Sequence, residues 1–358
     1  MVIRFRNRRP RLLAPSQILR PPVRQSGGGR WREDLVAEAR RSIRRGSRTL
    51  AFASRLFDRA TRERAWLLYA WCRRGHVIAD GHEFGGKDGQ DVAENLGQAI
   101  RVLTRRALEG HPTADPAFDS FGQVAQEAGL TMQLAEDVIE GFALDAAGWQ
   151  PHTEEDLVRY CYHTAGAVGV MMARIMGVPE DDEGMLDRGF ELGVAFQLVT
   201  IARDLSDDDA ADRCYLPLEW LSEADIPPGE HMKPMFRDRL VGLVARLLDL
   251  AEAYDASARL GTEVLGFRQR WAVLTASNIH LALGEKLRER GAHAWDHRAR
   301  VSLFEKLGAA FRGFMEALDA PLPAKSVPFT RGQILIAVRM AGPIAPIPMT
   351  PLPDEEAE

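Results

Sequence analysis

Two aspartates in the second half of the chain have the spacing of a metal site. Asp204 and Asp208, in the stretch FQLVTIARDLSDD, are four residues apart and therefore share one face of a helix. Two carboxylates at this spacing can bind Mg²⁺, which prefers oxygen ligands and usually keeps water and substrate phosphates in its shell. Such a metal would stabilise the charge on a departing diphosphate. The alternative is a solvated helix end at which Asp and Arg side chains pair.

Basic residues flank this acidic pair. Arg203 precedes Asp204, and Arg213 follows the run DLSDDD, so either guanidinium could bind phosphate oxygens through two hydrogen bonds. Asp207 and Asp209 lie in the same run and are expected to be solvated. The pattern favours an anion site beside the two carboxylates.

A second cluster of polar residues lies earlier, in YAWCRRGHVIADG. His76 and Asp80 are again four residues apart, and they follow Tyr69, Arg73 and Arg74. An imidazole and a carboxylate on one helix face could bind a metal together. A surface helix end without a ligand is the alternative.

The elements that carry these residues are predicted to be helices. From about residue 32 to 318, apolar residues recur at three- and four-residue spacing, and no alternating strand pattern interrupts them. Helix boundaries are expected at Gly46-Ser47, His111-Pro112, Trp149–Thr153 and Ile226–Gly229. The segments GAVGVMMARIMGV and ELGVAFQLVTIARDL are apolar nearly all round, which indicates burial at the centre of a helical bundle. A buried helix with acids at one end is typical of a metal site in a bundle core.

Composition narrows the class of protein. The chain has 358 residues and a net charge of -5, which gives no reason to expect a nucleic-acid partner. The three cysteines form no CxxC pair or disulfide framework, so a cytoplasmic protein is the simplest expectation. We predict three parts: a disordered basic tail at 1–31, a synthase-like helical domain at 32–320, and a Pro-rich and acidic tail at 321–358.

Several ordered motifs resemble the squalene/phytoene synthase family, most closely its bacterial phytoene synthases. The most specific piece is AFQLVTIARDLSDDDAADRCYLPLEWL, which is similar to the family's second aspartate-rich signature and its trailing Arg-x-Tyr-Leu-Pro. The supporting pieces are GSRTLAFASRLF, YAWCRR, EGFALD, RYCYHTAGAVGVMM and RGAHAWD. The similarity runs from about Ser42 to Leu318, which is most of the chain.

The resemblance implies an all-α isoprenoid-synthase bundle around a central cavity, with two aspartate-rich helices facing each other. It implies a prenyltransferase that joins two geranylgeranyl diphosphates head to head, through a cyclopropyl diphosphate, to give phytoene for carotenoid biosynthesis. The implied cofactor is Mg²⁺ or Mn²⁺, bound by Asp80, Asp204 and Asp208, with His76 as a further candidate. The implied substrate-binding residues are Ser47, Thr49, Arg73, Gln197, Arg203 and Arg213. Tyr69 and Tyr160 match aromatic positions near the reacting centre, where a carbocation needs aromatic faces and exclusion of water.

The small residues Gly166, Ala167 and Gly169 have two interpretations. They could leave room beside a long prenyl chain, or they could only allow two helices to approach closely.

The chain departs from the family pattern at three positions. Aligned without gaps, His76 and Val77 stand where the first motif has two leading aspartates, and Thr200 stands where the second motif has asparagine. Val77 cannot bind a metal, and an imidazole suits Zn²⁺ or Mn²⁺-like ions better than Mg²⁺. Two alternatives therefore stay open: a farnesyl-diphosphate-using squalene-type or presqualene-type synthase, and a catalytically impaired homologue that binds prenyl diphosphate.

The expected partner is a prenyl diphosphate substrate, and the oligomeric state is not predicted. A very apolar product would have to leave into lipid, so peripheral membrane contact is a further expectation, although the sequence alone reveals no amphipathic anchor.

Overall fold

The computed structural model describes residues 26–79, 89–319 and 326–341, and these ranges contain helices, turns and loops but no β-strand. The all-α prediction is confirmed. In chain order the α-helices are α1 Arg32–Gly46, α2 Arg48–Ala53, α3 Arg59–Ala79, α4 Gly89–Leu108, α5 Pro116–Ala128, α6 Met132–Ala146, α7 Glu154–Cys161, α8 Ala167–Ile175, α9 Glu183–Asp209, α10 Leu218–Glu223, α11 Arg237–Leu260, α12 Phe267–Arg290, α13 Leu303–Glu316 and α14 Arg331–Ala341. A short π-helix, Tyr162–Gly166, joins α7 to α8.

Helix boundaries follow from local capping. Helix α1 ends at Gly46, and the Ser47 hydroxyl caps α2 by accepting from the amide of Leu50 at 3.2 Å. Thr153 and Asp156 form a capping box at the start of α7. The four boundaries predicted from the sequence all fall between helices of the structure and are confirmed.

Helix α9 lies at the centre of the bundle and packs against α8, α11 and α12. It approaches α8 closely: a Cβ at Gly169 would lie 2.0 Å from the carbonyl oxygen of Gly189, and a Cβ at Gly193 would lie 2.2 Å from that of Ala165. Close helix contact is therefore the correct interpretation of Gly169. The two nearly all-apolar segments form α8 and α9, as predicted.

One stripe along α9 is only partly buried. Phe196, Thr200, Asp204 and Asp208, spaced four residues apart, are partly exposed, whereas their neighbours Val199, Ile201, Ala202 and Leu205 are buried. Across from it, the imidazole of His280 on α12 stacks on Phe196 with 3.8 Å between ring centroids. The stripe carries the acidic pair predicted from the sequence.

The ends of the described ranges are attached to the bundle. Arg30 forms an ion pair with Asp119 at 2.9 Å. Within the segment predicted as a C-terminal tail, α14 packs on the domain: Ile334 is fully buried, and the Tyr254 hydroxyl donates to the carbonyl of Phe329 at 2.8 Å. The predicted boundary at 320 thus separates α14 from the domain it packs against, because the Pro-rich flanks hid an apolar helix face. Residues 1–25 and 342–358 lie outside the described residues.

In the ranges that the structure describes, no helix is both long enough and apolar enough to span a membrane.

Candidate active site

His76 on α3 lies close to Asp145 on α6. His76 Nδ1 lies 3.9 Å from Asp145 Oδ2, and the imidazole packs edge-on against Phe142 with 4.8 Å between ring centroids. His76 is about half exposed, whereas Asp145 is almost covered. The imidazole of His76 therefore faces a carboxylate from another helix.

Asp145 accepts hydrogen bonds from two tyrosines. The hydroxyl of Tyr160 donates to its Oδ1 at 2.6 Å, and the hydroxyl of Tyr215 donates to the same oxygen at 3.0 Å. The two tyrosine rings stack at 4.7 Å, and Trp149 stacks on the other side of Tyr160 at 5.8 Å. Burial raises the pKa of Asp145, while the nearby His76 and the two hydroxyls act in the opposite direction.

Asp208 lies in the field of the same carboxylate. Burial raises the pKa of Asp208 to about 7, and the charges of Asp204 and Asp145 add to this rise, whereas Arg213 opposes it. The Arg213 amide donates to the Asp208 carbonyl at 2.9 Å, so the turn that ends α9 holds Arg213 beside the acids. Asp208 is thus a site of concentrated negative potential.

Asp204 is held by two arginines. Arg203 binds it with both Nε (2.6 Å) and Nη2, and Arg298 donates to it at 2.9 Å. Arg298 also pairs with Asp207 at 3.0 Å, so Asp207 is less isolated than its predicted solvated role implied. The two guanidinium groups balance the charge of Asp204.

Asp204 and Asp208 could provide some of the ligands that a divalent cation needs. Among the described side chains, no three from His, Cys, Asp and Glu are arranged to hold a metal, and Asp80 lies outside the described residues. The carboxylate oxygens of Asp204 and Asp208 are nevertheless hard donors that suit Mg²⁺, which commonly takes water and phosphate as its remaining ligands. Thr200 directs its hydroxyl to the Phe196 carbonyl at 2.9 Å, along its own helix.

Tyr69 and Arg73 interact with each other on α3. Burial raises the pKa of Tyr69, and its hydroxyl interacts with Arg73. A Cβ at Gly46 would lie 2.1 Å from the Tyr69 hydroxyl and 2.8 Å from Arg73 Nη1, so the junction of α1 and α2 covers this pair. Ser47 follows this glycine directly.

The remaining predicted site residues are on the same elements. Thr49 is partly exposed in the first turn of α2, and Gln197 is partly exposed on α9 beside Phe196. Val77 lies with Arg73 and Arg74 on the wall of a cavity of about 310 Å³. The roles predicted for Ser47, Thr49, Tyr69, Gln197 and the other site residues stay predictions.

Sequence reasoning missed Asp145, Tyr215 and Arg298. Asp145 ends the piece EGFALD, Tyr215 lies in RCYLP, and Arg298 follows RGAHAWD by two residues. Each piece contributed to the family resemblance, but no local spacing connects it to the acidic pair.

Comparison with known proteins identifies the family of the chain. The family model described as Squalene/phytoene synthase matches residues 43–305. The chain belongs to the squalene/phytoene synthase family. The prediction of a prenyltransferase is thereby confirmed.

Two relatives cover most of the chain. A protein named phytoene synthase from Pseudescherichia vulneris is 42% identical over 276 residues, which is 76% of this chain and 89% of the relative. A 15-cis-phytoene synthase from Paracoccus sp. is 38% identical over 299 residues, which is 82% of this chain and 95% of the relative.

Solved structures share the isoprenoid-synthase fold. A ligand-bound dehydrosqualene synthase aligns with a TM-score of 0.70 at 21% identity, covering 80% of this chain and 97% of that chain. A squalene synthase from Alicyclobacillus acidocaldarius aligns with a TM-score of 0.64 at 22% identity, covering 75% and 98%. The predicted fold class is confirmed.

Proposed function

We propose that this protein joins two geranylgeranyl diphosphate molecules head to head, through a cyclopropyl diphosphate, to give phytoene. The observation that carries the proposal is the 42% identity to a phytoene synthase over 89% of that relative's length. The meeting of Asp145, Asp208 and His76 in one site, beside arginines on Asp204, supplies the acids and cations that diphosphate departure needs.

Diphosphate binding would involve the arginines that now pair with Asp204. Arg203 and Arg298 would bind diphosphate oxygens, while Asp204 keeps both guanidinium groups oriented. Arg73 would bind from α3, with Ser47 and Thr49 nearby at the start of α2. Mg²⁺ or Mn²⁺, when bound by Asp204 and Asp208 with Asp80, would stabilise charge on the leaving diphosphate.

The aromatic cluster would protect the reacting carbocation. Hydrogen bonds to Asp145 orient the hydroxyls of Tyr160 and Tyr215. The ring of Trp149 stacks on that of Tyr160 and extends the aromatic cluster. Aromatic faces attract a cation, and a wall of buried rings excludes water that would quench it. Tyr69 would contribute another face from α3.

The test is to incubate the purified full chain with geranylgeranyl diphosphate and either Mg²⁺ or Mn²⁺, and to measure phytoene and released diphosphate. We expect phytoene with at least one metal. Farnesyl diphosphate serves as the comparison substrate, and a C30 product formed preferentially would overturn the assignment of chain length.

A further arm tests the altered first motif. If the wild-type chain gives no product while the His76→Asp/Val77→Asp double variant does, the protein is not active as it stands and the proposal fails.

A further inference from the structure

Helix α13 presents apolar side chains to solvent. Phe304 is 84% exposed and Phe311 is 68% exposed, and Leu307 lies between them on the same face. Leu303 and Leu318 extend this exposed apolar row at its two ends. Among the described residues, nothing covers the row. Exposed apolar residues are normally scattered singly over a protein surface, whereas these form a contiguous patch.

The orientation of α13 is set by its other face. The Trp271 indole donates to the Ala310 carbonyl at 2.7 Å, and a Cβ at Gly313 would lie 2.9 Å from the amide nitrogen of Thr275. The acids of α13 point away from the row, because Glu305 pairs with Lys286 at 2.6 Å and Glu316 pairs with Arg259 at 3.1 Å. The outward face is therefore apolar and not acidic.

A strongly basic groove adjoins this face. A cavity of about 700 Å³ between α1, α2 and α3 is lined by Trp66, by the two acids Glu33 and Glu63, and by six arginines, namely Arg32, Arg40, Arg44, Arg55, Arg59 and Arg62. Helix α2 connects the groove to α13, since α2 contacts both α12 and α13 and Arg48 lies in the electrostatic field of Lys306. Within the described part of the chain, no carboxylate forms an ion pair with Arg44, Arg48 or Arg55.

We infer that the apolar row of α13 and this arginine groove form one docking surface for an anionic phospholipid bilayer. The phenylalanines and leucines would enter the interfacial region, and the arginines would bind lipid phosphates. Arg32 and Arg59 pair with Glu63 inside the groove, whereas Arg44 and Arg55 form no ion pair in the described part of the chain. The exposed apolar helix beside these two arginines matches an anionic membrane in charge as well as in polarity. A second copy of this chain would carry the same positive charge and be repelled at the groove.

The sequence alone did not reveal this exposed apolar face. No amphipathic anchor was evident there, because an apolar stripe on a helix normally indicates core packing. In the structure, α13 packs through Ala309, Ala310 and Gly313, which leaves its large apolar residues outside.

The experiment measures co-sedimentation of the purified full chain with phosphatidylcholine vesicles, with and without phosphatidylglycerol. We expect binding that requires the anionic lipid and weakens with added salt. The Phe304→Ser/Phe311→Ser variant should bind about tenfold more weakly or worse, since it loses the two aromatic rings that would enter the bilayer. The Arg44→Glu/Arg55→Glu variant should lose the dependence on phosphatidylglycerol. Met235→Ser, which removes another exposed apolar residue from outside the surface, is the matched control and should bind like wild type.

Three results would overturn the inference: no binding to either vesicle, equal binding of the phenylalanine variant, or a lipid-free dimer that this variant converts to monomer. The last result would assign α13 to self-association. Vesicle binding is measured without turnover, so it stands or falls separately from the proposed function. Turnover of the phenylalanine variant in detergent micelles should equal that of wild type.

Discussion

The imidazole of His76 faces the carboxylate of Asp145, with 3.9 Å between Nδ1 and Oδ2. In a family whose first motif has an aspartate at this position, the exchange places a nitrogen donor, instead of a further oxygen, next to a nearly buried acid. The geometry connects the altered motif on α3 directly to α6 and, through Asp145, to the electrostatic surroundings of Asp208.

We predict that His76→Asp shifts the metal preference toward Mg²⁺. An imidazole favours Mn²⁺-like ions, whereas a carboxylate favours Mg²⁺. The ratio of kcat/KM with Mn²⁺ to kcat/KM with Mg²⁺ should fall by about tenfold, which corresponds to ~1.4 kcal/mol. His152→Asp, on an exposed residue of the loop before α7, should leave the ratio unchanged. An unaltered ratio in His76→Asp would show that His76 does not bind the metal.

Asp204→Ala should abolish turnover. The carboxylate holds Arg203 and Arg298 and is the predicted metal ligand, so its loss removes charge stabilisation worth several kcal/mol and more than a hundredfold in rate. The far-ultraviolet circular dichroism spectrum should persist, because Asp204 lies on the partly exposed stripe of α9.

Asp207→Ala is the matched control for Asp204→Ala. Asp207 is exposed and also pairs with Arg298, at 3.0 Å, but it lies off the stripe and is not a predicted ligand. Its turnover should stay within a few-fold of wild type. Measurable turnover in Asp204→Ala equal to that of the control would refute the metal role of Asp204.

Local patterns predicted part of the site and long-range contacts determined the rest. The acidic pair on α9 was predictable because four-residue spacing places both carboxylates on one helix face. Asp145 was not, since its relation to His76 depends on how α6 packs on α3. Likewise, Arg298 reaches Asp204 across 94 residues of sequence, a distance that periodicity cannot bridge.

The fold could be predicted from the sequence more completely than the site. Helices α8 and α9 are apolar on nearly all sides, so their central position followed from composition alone. The sequence could not decide which face of the amphipathic α13 turns outward, because periodicity identifies an apolar stripe without identifying what covers it. For Gly169, only the position of the Gly189 carbonyl distinguished close packing from a wider cavity.

Acid should destabilise the fold through two buried histidines. Burial lowers the pKa of His163 to about 4 and that of His280 to about 4, from an ordinary value of 6.5. Between pH 6.5 and about 4 the unfolded chain binds more protons than the folded one, so stability is present above pH 6.5 and is lost as the pH falls. Each histidine contributes a slope of at most ~1.4 kcal/mol per pH unit.

The measurement is urea unfolding at several pH values between 7 and 4. His163→Asn should be less stable at neutral pH, because it disturbs the 2.8 Å hydrogen bond from Nδ1 to the Asp137 carbonyl, but its stability should depend less on pH. His297→Asn, at an exposed position, should keep the wild-type slope. A slope in His163→Asn as steep as that of wild type would exclude His163 as a source of the acid sensitivity.

The contact between α8 and α9 should tolerate no added methyl group. In Gly169→Ala the new Cβ would lie 2.0 Å from the Gly189 carbonyl oxygen, which forces the two central helices apart and should lower the free energy of unfolding by about 2 kcal/mol or more. Gly242→Ala, on α11, is the matched control, since no atom lies within 4 Å of its new Cβ. Removing a helical glycine there should stabilise the protein by about 0.5–1 kcal/mol. Urea midpoints that move in opposite directions would confirm the packing argument, and a Gly169→Ala midpoint at or above that of wild type would contradict it.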